Sequence, residues 1–287
     1  MILWKNGFFH TLKYEDEIRY QMATDQGLII GFDEDVNDLK FNKVIDLKGK
    51  HLYPGFVDSH LHIIGYGQKL LTKDISHFKS SKALLAFINT HKDEKHYLYE
   101  GYHQMGITNK DLDEIRLDKP IILRHRDYHS VTVNSYILNE LNLNSIDGYL
   151  TEDDAKLVLS YYQKHTHKDI VNMIDVSIRK LYQFGITGGH SDDLFYFNGY
   201  QDTLLAYQEV LKEKPFRAHL LMHYKVIDDF VKAKHTFLDQ NEYLQLGAVK
   251  LFYDGALSSK TALLYNTYKD EDHAGLRMFE QDDLEEL

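Results

Sequence analysis

Tyr53-Pro54-Gly55-Phe56-Val57-Asp58-Ser59-His60-Leu61-His62, followed by Ile63-Ile64-Gly65-Tyr66-Gly67, is the stretch that organises the reading of this chain. Pro-Gly opens a short apolar strand, a position where proline is tolerated. Residues two apart in a strand share a face. His60 and His62 therefore project side by side at its C-terminal end, about 7 Å apart along the backbone, while Leu61 turns to the opposite, packed layer. Two such imidazoles can converge on one metal ion. Asp58 shares their face one step back and is placed to support a ligand histidine by hydrogen bonding. The glycines that follow place a loop behind the strand. Pairs at this spacing also arise by chance in a chain with 17 histidines, so the spacing alone is a weak sign.

Composition narrows the chemistry. The 287 residues are 43% hydrophobic, enough for a sizeable core in one or two domains. No stretch has the apolar length of a membrane span, and the N-terminus turns polar too soon for a signal peptide. The expected location is the cytoplasm. There is no cysteine, which excludes a thiol nucleophile, disulfides and thiolate-held zinc; any metal must use His, carboxylate or modified Lys. The cysteine-ligated nucleobase deaminases are excluded with them. A net charge of −11 speaks against a nucleic-acid partner. The expected partner is a small-molecule substrate, with neither nucleic acid nor membrane, and a homo-oligomer is left open.

Residues 2–50 read as a small β unit: a strand over 2–11, a hairpin of 18–24 and 28–32, and a strand at 44–47. From about residue 150 helices alternate with strands. Helices are expected over 152–164, 169–182, 201–212 and 228–239, with Thr151 and Thr166 as N-caps. Strands starting near 184, 217 and 247 recur at the period of a βα unit. Between the histidine strand and residue 184 the chain is far longer than one connection requires. Residues 65–150 are therefore an insertion beside the C-terminal face of the strands. It carries a helix over 83–90, strands over 95–102 and 120–125, and a helix over 134–141. The four long-period strands are half of what an eight-stranded barrel needs; an open four-stranded sheet is the alternative. The chain stops at 281–287, in what reads as the first turn of a helix, as if it were the first half of a larger protein.

A second locus is Gly247-Ala248-Val249-Lys250-Leu251-Phe252-Tyr253-Asp254-Gly255. Alternation puts Lys250, Phe252 and Asp254 on one face, Asp254 as a support for the lysine. A lysine facing a barrel interior loses hydration, its pKa falls, and the neutral amine can condense with carbon dioxide. The carbamate so formed can bridge two metal ions. From spacing alone, an ion pair or a snorkelling head group is the commoner arrangement.

The His60-Leu61-His62 strand and the segment from Val249 to Leu264 together resemble the amidohydrolase superfamily, most closely its N-substituted formamide deformylase-like branch. The segment Pro120–His129 with Asn134-Ser135, and Gly185-Ile186-Thr187, resemble that branch as well. The resemblance implies an α/β fold: a (β/α)8 TIM-like barrel, here its first half. It has an N-terminal β-sandwich part (1–52) before the barrel (53–287, with the insertion 65–150). It implies that His60 and His62 hold a first metal and that Lys250, carboxylated, bridges to a second. The cofactor is then one or two zinc ions. The remaining ligands, including the aspartate that acts as general base, would lie beyond Leu287. The reaction implied is hydrolysis of a C–N bond of a small amide, formamide or cyclic amide by metal-activated water. Arg124, Asp127, His129, Asn134 and His190 are candidate substrate contacts, although polar residues of this kind more often serve the fold. His223 reads equally as a packed core histidine. Tyr128 and Ser258 stand where the family often has Gly, and Lys260 where it has Arg. Two other readings compete: a catalytically incomplete segment acting as a binding or regulatory protein, and a deaminase of the same superfamily.

Overall fold

In the computed structural model, residues 1–280 are described apart from 94–96, 128, 163, 256, 258, 259 and 270. The expected helical turn at 281–287, and Tyr128 and Ser258, lie outside the described residues. Two units are resolved by their internal contacts: residues 1–57 with 185–188, and 58–184 with 189–287.

The first unit holds two small sheets. β1 (Ile2–Lys5), β4 (Met22–Asp25), β5 (Leu28–Phe32) and β6 (Lys43–Asp46) form one, in the order β5-β4-β1-β6. β2 (Phe8–His10), β3 (Ile18–Arg19) and β7 (His51–Leu52) form the other, in the order β3-β2-β7. The single strand expected over 2–11 is broken because Asn6 takes a left-handed backbone (φ 54°), which Asn tolerates. The hairpin between β4 and β5 turns on Gln26 (φ 47°) and Gly27 (φ 83°), two successive left-handed residues as a type I′ turn requires. Phe9, Ala23 and Val36 are buried here, whereas Leu28, Ile29 and Val44 stay more than half exposed. This is little core for a sheet of its own.

The second unit takes over within β8 (Phe56–Leu61), which is followed directly by α1 (Ile63–Leu71). The glycines read as a loop therefore sit in a helix. Gly67 is there for packing: a Cβ on it would lie 2.0 Å from the Met173 carbonyl oxygen of the helix lying against it. The region 65–150 folds around β9 (Lys73–Asp74), β10 (Leu98–Tyr102), β11 (Ile122–His125), β12 (Ser130–Val133) and β13 (Tyr149–Thr151). These make a sheet ordered β13-β12-β11-β10-β9. α2 (Ser81–Thr90), α3 (Asn109–Asp113) and α4 (Ser135–Glu140) accompany it, over a core that includes Leu84, Ile88, Tyr99, Tyr102 and Leu123.

α5 (Glu152–Tyr162), α6 (His167–Gln183), β14 (Ile186–Ser191), α7 (Gly199–Glu213), β15 (Arg217–His223), α8 (Ile227–Lys232) and β16 (Leu244–Lys250) follow. Thr166 caps α6 through a capping box with Asp169; Thr151 instead ends β13. The last expected strand lies three residues earlier than the sequence suggests, and α8 is shorter. β8, β14, β15 and β16 share a sheet ordered β16-β15-β14-β8, and β15 and β16 run parallel. The α/β class is therefore seen directly. Among the described residues no helix is long and apolar enough to cross a membrane.

Candidate metal centre

His60 lies in β8 and His62 is the N-cap residue of α1, still extended (φ −125°, ψ 92°). Their rings meet edge to face with centroids 5.5 Å apart, and both residues are exposed. Two imidazoles bound tetrahedrally to one zinc at about 2.0–2.1 Å would hold their centres roughly 5 Å apart, so the spacing suits a shared ion. The chemistry of His62 suits it too. Its Nδ1 lies 3.1 Å from the backbone carbonyl oxygen of Asp192. A carbonyl only accepts, so Nδ1 carries the hydrogen and the Nε2 lone pair is left for a ligand. Asp58 uses its carboxylate to accept the His60 backbone N–H at 3.0 Å, which fixes the strand at the first histidine rather than its ring. The run ahead is less buried than its apolar sequence suggests: Phe56 and Val57 are 58% and 62% exposed.

Strand alternation carries the site across the sheet. A Cβ on Gly189 would lie 2.4 Å from Leu61 Cδ2, so Gly189 and Leu61 share one face. His60 and His190 share the other. His190 packs against His219 of β15 with ring centres 4.5 Å apart. Burial first, and then the neighbouring His190 ring, pull the His219 pKa below its usual value, against a hydrogen bond that the His219 ring donates to Gln245.

Lys250 reaches this face through a β-bulge. His219 pairs with Gln245 and His223 with Lys250, but the register shifts between Leu220 and Met222. Gln245 and Lys250 are five residues apart and would face opposite ways in a regular strand. The extra residue at 247–248 turns Lys250 back to the side of His223. Gly247 makes room, since a Cβ there would lie 1.7 Å from His219 Nε2. The lysine Nζ sits 5.1 Å from the centre of the Phe252 ring. The strand ends at Lys250, so alternation does not place Phe252 and Asp254. Asp254 instead accepts the Leu263 N–H at 2.8 Å and organises the following loop. Lys250 is half-buried, not enclosed. The dehydration expected to activate it is therefore incomplete among the described residues.

Asp192 is fully buried, and its carboxylate lies against the Tyr196 hydroxyl, whose pKa burial first and then this neighbour push up. His223, 4% exposed, stacks on Phe195 with ring centres 4.5 Å apart and on Tyr224 at 4.8 Å. Burial first lowers its pKa, Lys225 adds to that, and Asp192 opposes both. Tyr196 lies 6.1 Å from His62, centre to centre. It also lines a cavity of about 620 Å³ with Gln68, Lys164, His165, Phe197 and Asn198.

The amidohydrolase family model matches residues 43–287. The chain belongs to the amidohydrolase family. It is 28% identical over 303 residues to the putative amidohydrolase YtcJ of Bacillus subtilis (strain 168), covering 94% of this chain and 57% of that protein. The fold is shared with an uncharacterized metal-dependent hydrolase from Pyrococcus furiosus (TM-score 0.81, 22% identity, 99% of this chain and 63% of that one). One from Pyrococcus horikoshii OT3 is similar in the same way (TM-score 0.79, 24% identity, 99% and 61%). The chain thus spans about half the length of the curated relatives it matches.

The other candidate residues of this amidohydrolase-family chain serve the sheet around β11 and β12. Arg124 pairs with Glu100 at 3.1 Å. Asp127 accepts the backbone N–H groups of His129 and Ser130 and the Ser130 hydroxyl. His129 is exposed, 3.7 Å from Glu152. Asn134, with no exposed surface, accepts the Ile121 N–H and donates to the Arg116 and Lys119 carbonyls. Its amide is committed to the backbone and is not available to a ligand. Lys260 forms an ion pair with Glu271 at 2.5 Å. Among the described residues no cluster of three or more His, Asp or Glu is set to hold an ion. The chain contributes a histidine pair and, on the far outer strand of the same sheet, a lysine.

Proposed function

We propose that the protein is a metal-dependent hydrolase that cleaves a C–N bond in a small amide, formamide or cyclic amide. In this reading His60, His62 and a carboxylated Lys250 hold one or two divalent ions, zinc foremost. The carrying observation is the His60–His62 pair, edge to face at 5.5 Å, with the His62 tautomer fixed by the Asp192 carbonyl. Family membership supports a hydrolase, and the Pyrococcus furiosus neighbour is itself described as metal-dependent.

When bound, a divalent ion supplies Lewis acidity toward a carbonyl and lowers the pKa of water. The chain's own groups do the rest of what is described. The Asp192 carbonyl keeps a hydrogen on His62 Nδ1, and Tyr196, 6.1 Å from His62 centre to centre, lines the cavity that this reading assigns to the substrate. The size of that cavity, about 620 Å³, is in the range of small-molecule sites. Its walls are Gln68 and the segments 164–165 and 196–198 rather than the Arg124–Asn134 region.

Two features support reading the sheet β16-β15-β14-β8 as the first half of a (β/α)8 barrel, with 1–52 part of a β-sandwich and 53–287 the barrel. The exposed Phe56, Val57 and Phe252 are apolar side chains awaiting cover, as are Leu28, Ile29 and Val44 in the first unit. Barrel closure is also what a shared ion requires. Three strand spacings separate β8 from β16, about 14 Å on a flat sheet, and only curvature brings Lys250 toward the histidines.

The test is turnover of a panel of N-substituted formamides, simple amides and cyclic amides by the full-length protein, before and after chelation. We expect hydrolysis that chelation abolishes and added zinc restores. Hydrolysis that persists in metal-free protein would overturn the proposal. Ammonia release confined to amino-heterocycles would favour the deaminase.

A further inference from the structure

His62 occupies the N-cap position of α1, yet its side chain makes no capping hydrogen bond. The first N–H groups of a helix have no partner within the helix and need one from elsewhere. Usually the N-cap side chain supplies it. Here the partners come from the end of β14 and the residues just past it, 128 and 129 residues away in sequence. Ser191 Oγ accepts the Ile63 N–H at 2.9 Å, and Asp193 Oδ2 accepts the Ile64 N–H at 3.2 Å. Between them the Asp192 carbonyl accepts from His62 Nδ1 at 3.1 Å. Three consecutive residues, Ser191 that ends β14 and the two that follow it, thus grip three consecutive residues at the start of α1.

The grip is itself held. Asp193 Oδ2 also accepts the hydroxyls of Ser191 (2.5 Å) and Tyr207 (2.6 Å). Ser177 donates its hydroxyl to the Ile63 carbonyl at 2.5 Å. Ser177, Ser191, Asp193, Tyr207, Ile63 and Ile64 are all at most 1% exposed. A carboxylate and three hydroxyls in such surroundings are costly unless hydrogen-bonded, and this network spends them on one turn of helix. We infer that Ser191 and Asp193 are positioning residues for the His60/His62 site. By capping α1 from outside, they free the imidazole at its N-cap from capping duty and set its height against the Asp192 carbonyl. The inference rests on the metal reading proposed above and adds residues to it.

The experiment uses the full-length protein labelled with ¹⁵N-histidine, and its Ser191→Ala and Asp193→Ala variants. Metal-free, the His62 ring is expected to show a hydrogen on Nδ1 in wild type, and to lose that preference or average between tautomers in both variants. Cobalt(II), read by competition with a chromophoric chelator and by its visible spectrum, is expected to bind about 10–100-fold more weakly, with an altered spectrum. Tyr207→Phe, which leaves both amide acceptors in place, should lower thermal stability while leaving the tautomer unchanged. If Asp193→Ala does not fold, Ser191→Ala carries the test by itself. Variants that keep the wild-type tautomer, affinity and spectrum, losing only stability, would overturn the inference. Failure of the metal reading looks different: wild type then binds cobalt no better than His62→Ala, and the tautomer comparison still decides the grip.

Discussion

His62→Ala is expected to reduce hydrolysis by about a thousandfold or more, the equivalent of several kcal/mol of lost transition-state stabilisation at a metal site, while the protein stays folded. The two halves of that expectation have separate causes. The side chain is exposed and makes one hydrogen bond, to the Asp192 carbonyl, so its removal costs about 1 kcal/mol of stability. It gives α1 no capping bond, and the caps from Ser191 and Asp193 remain. The proposed metal site, by contrast, loses one of the two imidazoles that this chain gives it. Steady-state turnover measured beside a thermal melt checks both. A variant that keeps a tenth of wild-type turnover would remove His62 from the site. One that melts far below wild type would mean that the ring serves the fold.

Gly67→Ala is expected to destabilise the protein by about 3 kcal/mol, at the upper end of the cost of overpacking. The added Cβ would stand 2.0 Å from the Met173 carbonyl oxygen and 2.5 Å from its carbon. Those are backbone atoms of a 17-residue helix and cannot swing aside, so α1 and α6 must separate. Ile63 and Ile64 of α1, and Ile170, Ile174 and Ile178 of α6, are wholly buried and would lose packing together. Because α1 begins beside His62, the same movement should weaken metal binding. Gly65→Ala is the internal control. Its nearest outside atom is the His62 Cβ at 3.5 Å, an ordinary contact, and alanine favours a helix over glycine by up to about 1 kcal/mol. Denaturant unfolding should therefore move the two variants in opposite directions. If Gly67→Ala unfolds like wild type, the close approach of the two helices is wrong.

What the sequence made legible follows from which interactions are local. The alternation of helix and strand after residue 150 is written in apolar periodicity, and β14, β15 and β16 appear within a few residues of their expected places. The histidine pair was legible because two residues and one strand end suffice to define it. The glycines behind it misled: Gly67 reads as loop punctuation, but its reason is a carbonyl on a helix more than a hundred residues away. Lys250 stands out in the sequence as the one charge in an apolar strand, but the route by which it reaches its face does not. Simple alternation cannot see the bulge that re-aims it, although Gly247 inside an apolar strand was the available signal. Ser191, Asp192 and Asp193 carry no sequence signal of their own, since their partners at 62–64 are adjacent in space alone. Arg124, Asp127 and Asn134 were polar and clustered, as binding residues are, yet turns and sheet edges need the same residue types. Tyr196 and the cavity it lines had no sequence signal.

The most direct measurement of the central claim is anomalous diffraction at the zinc edge from crystals of the zinc-loaded, full-length protein. The account predicts a peak about 2.0–2.1 Å from a ring nitrogen of both His60 and His62, with density for a carboxylated Lys250 reaching the same metal centre. Zinc held elsewhere, or a histidine pair with no ion between its rings at saturating zinc, would contradict it.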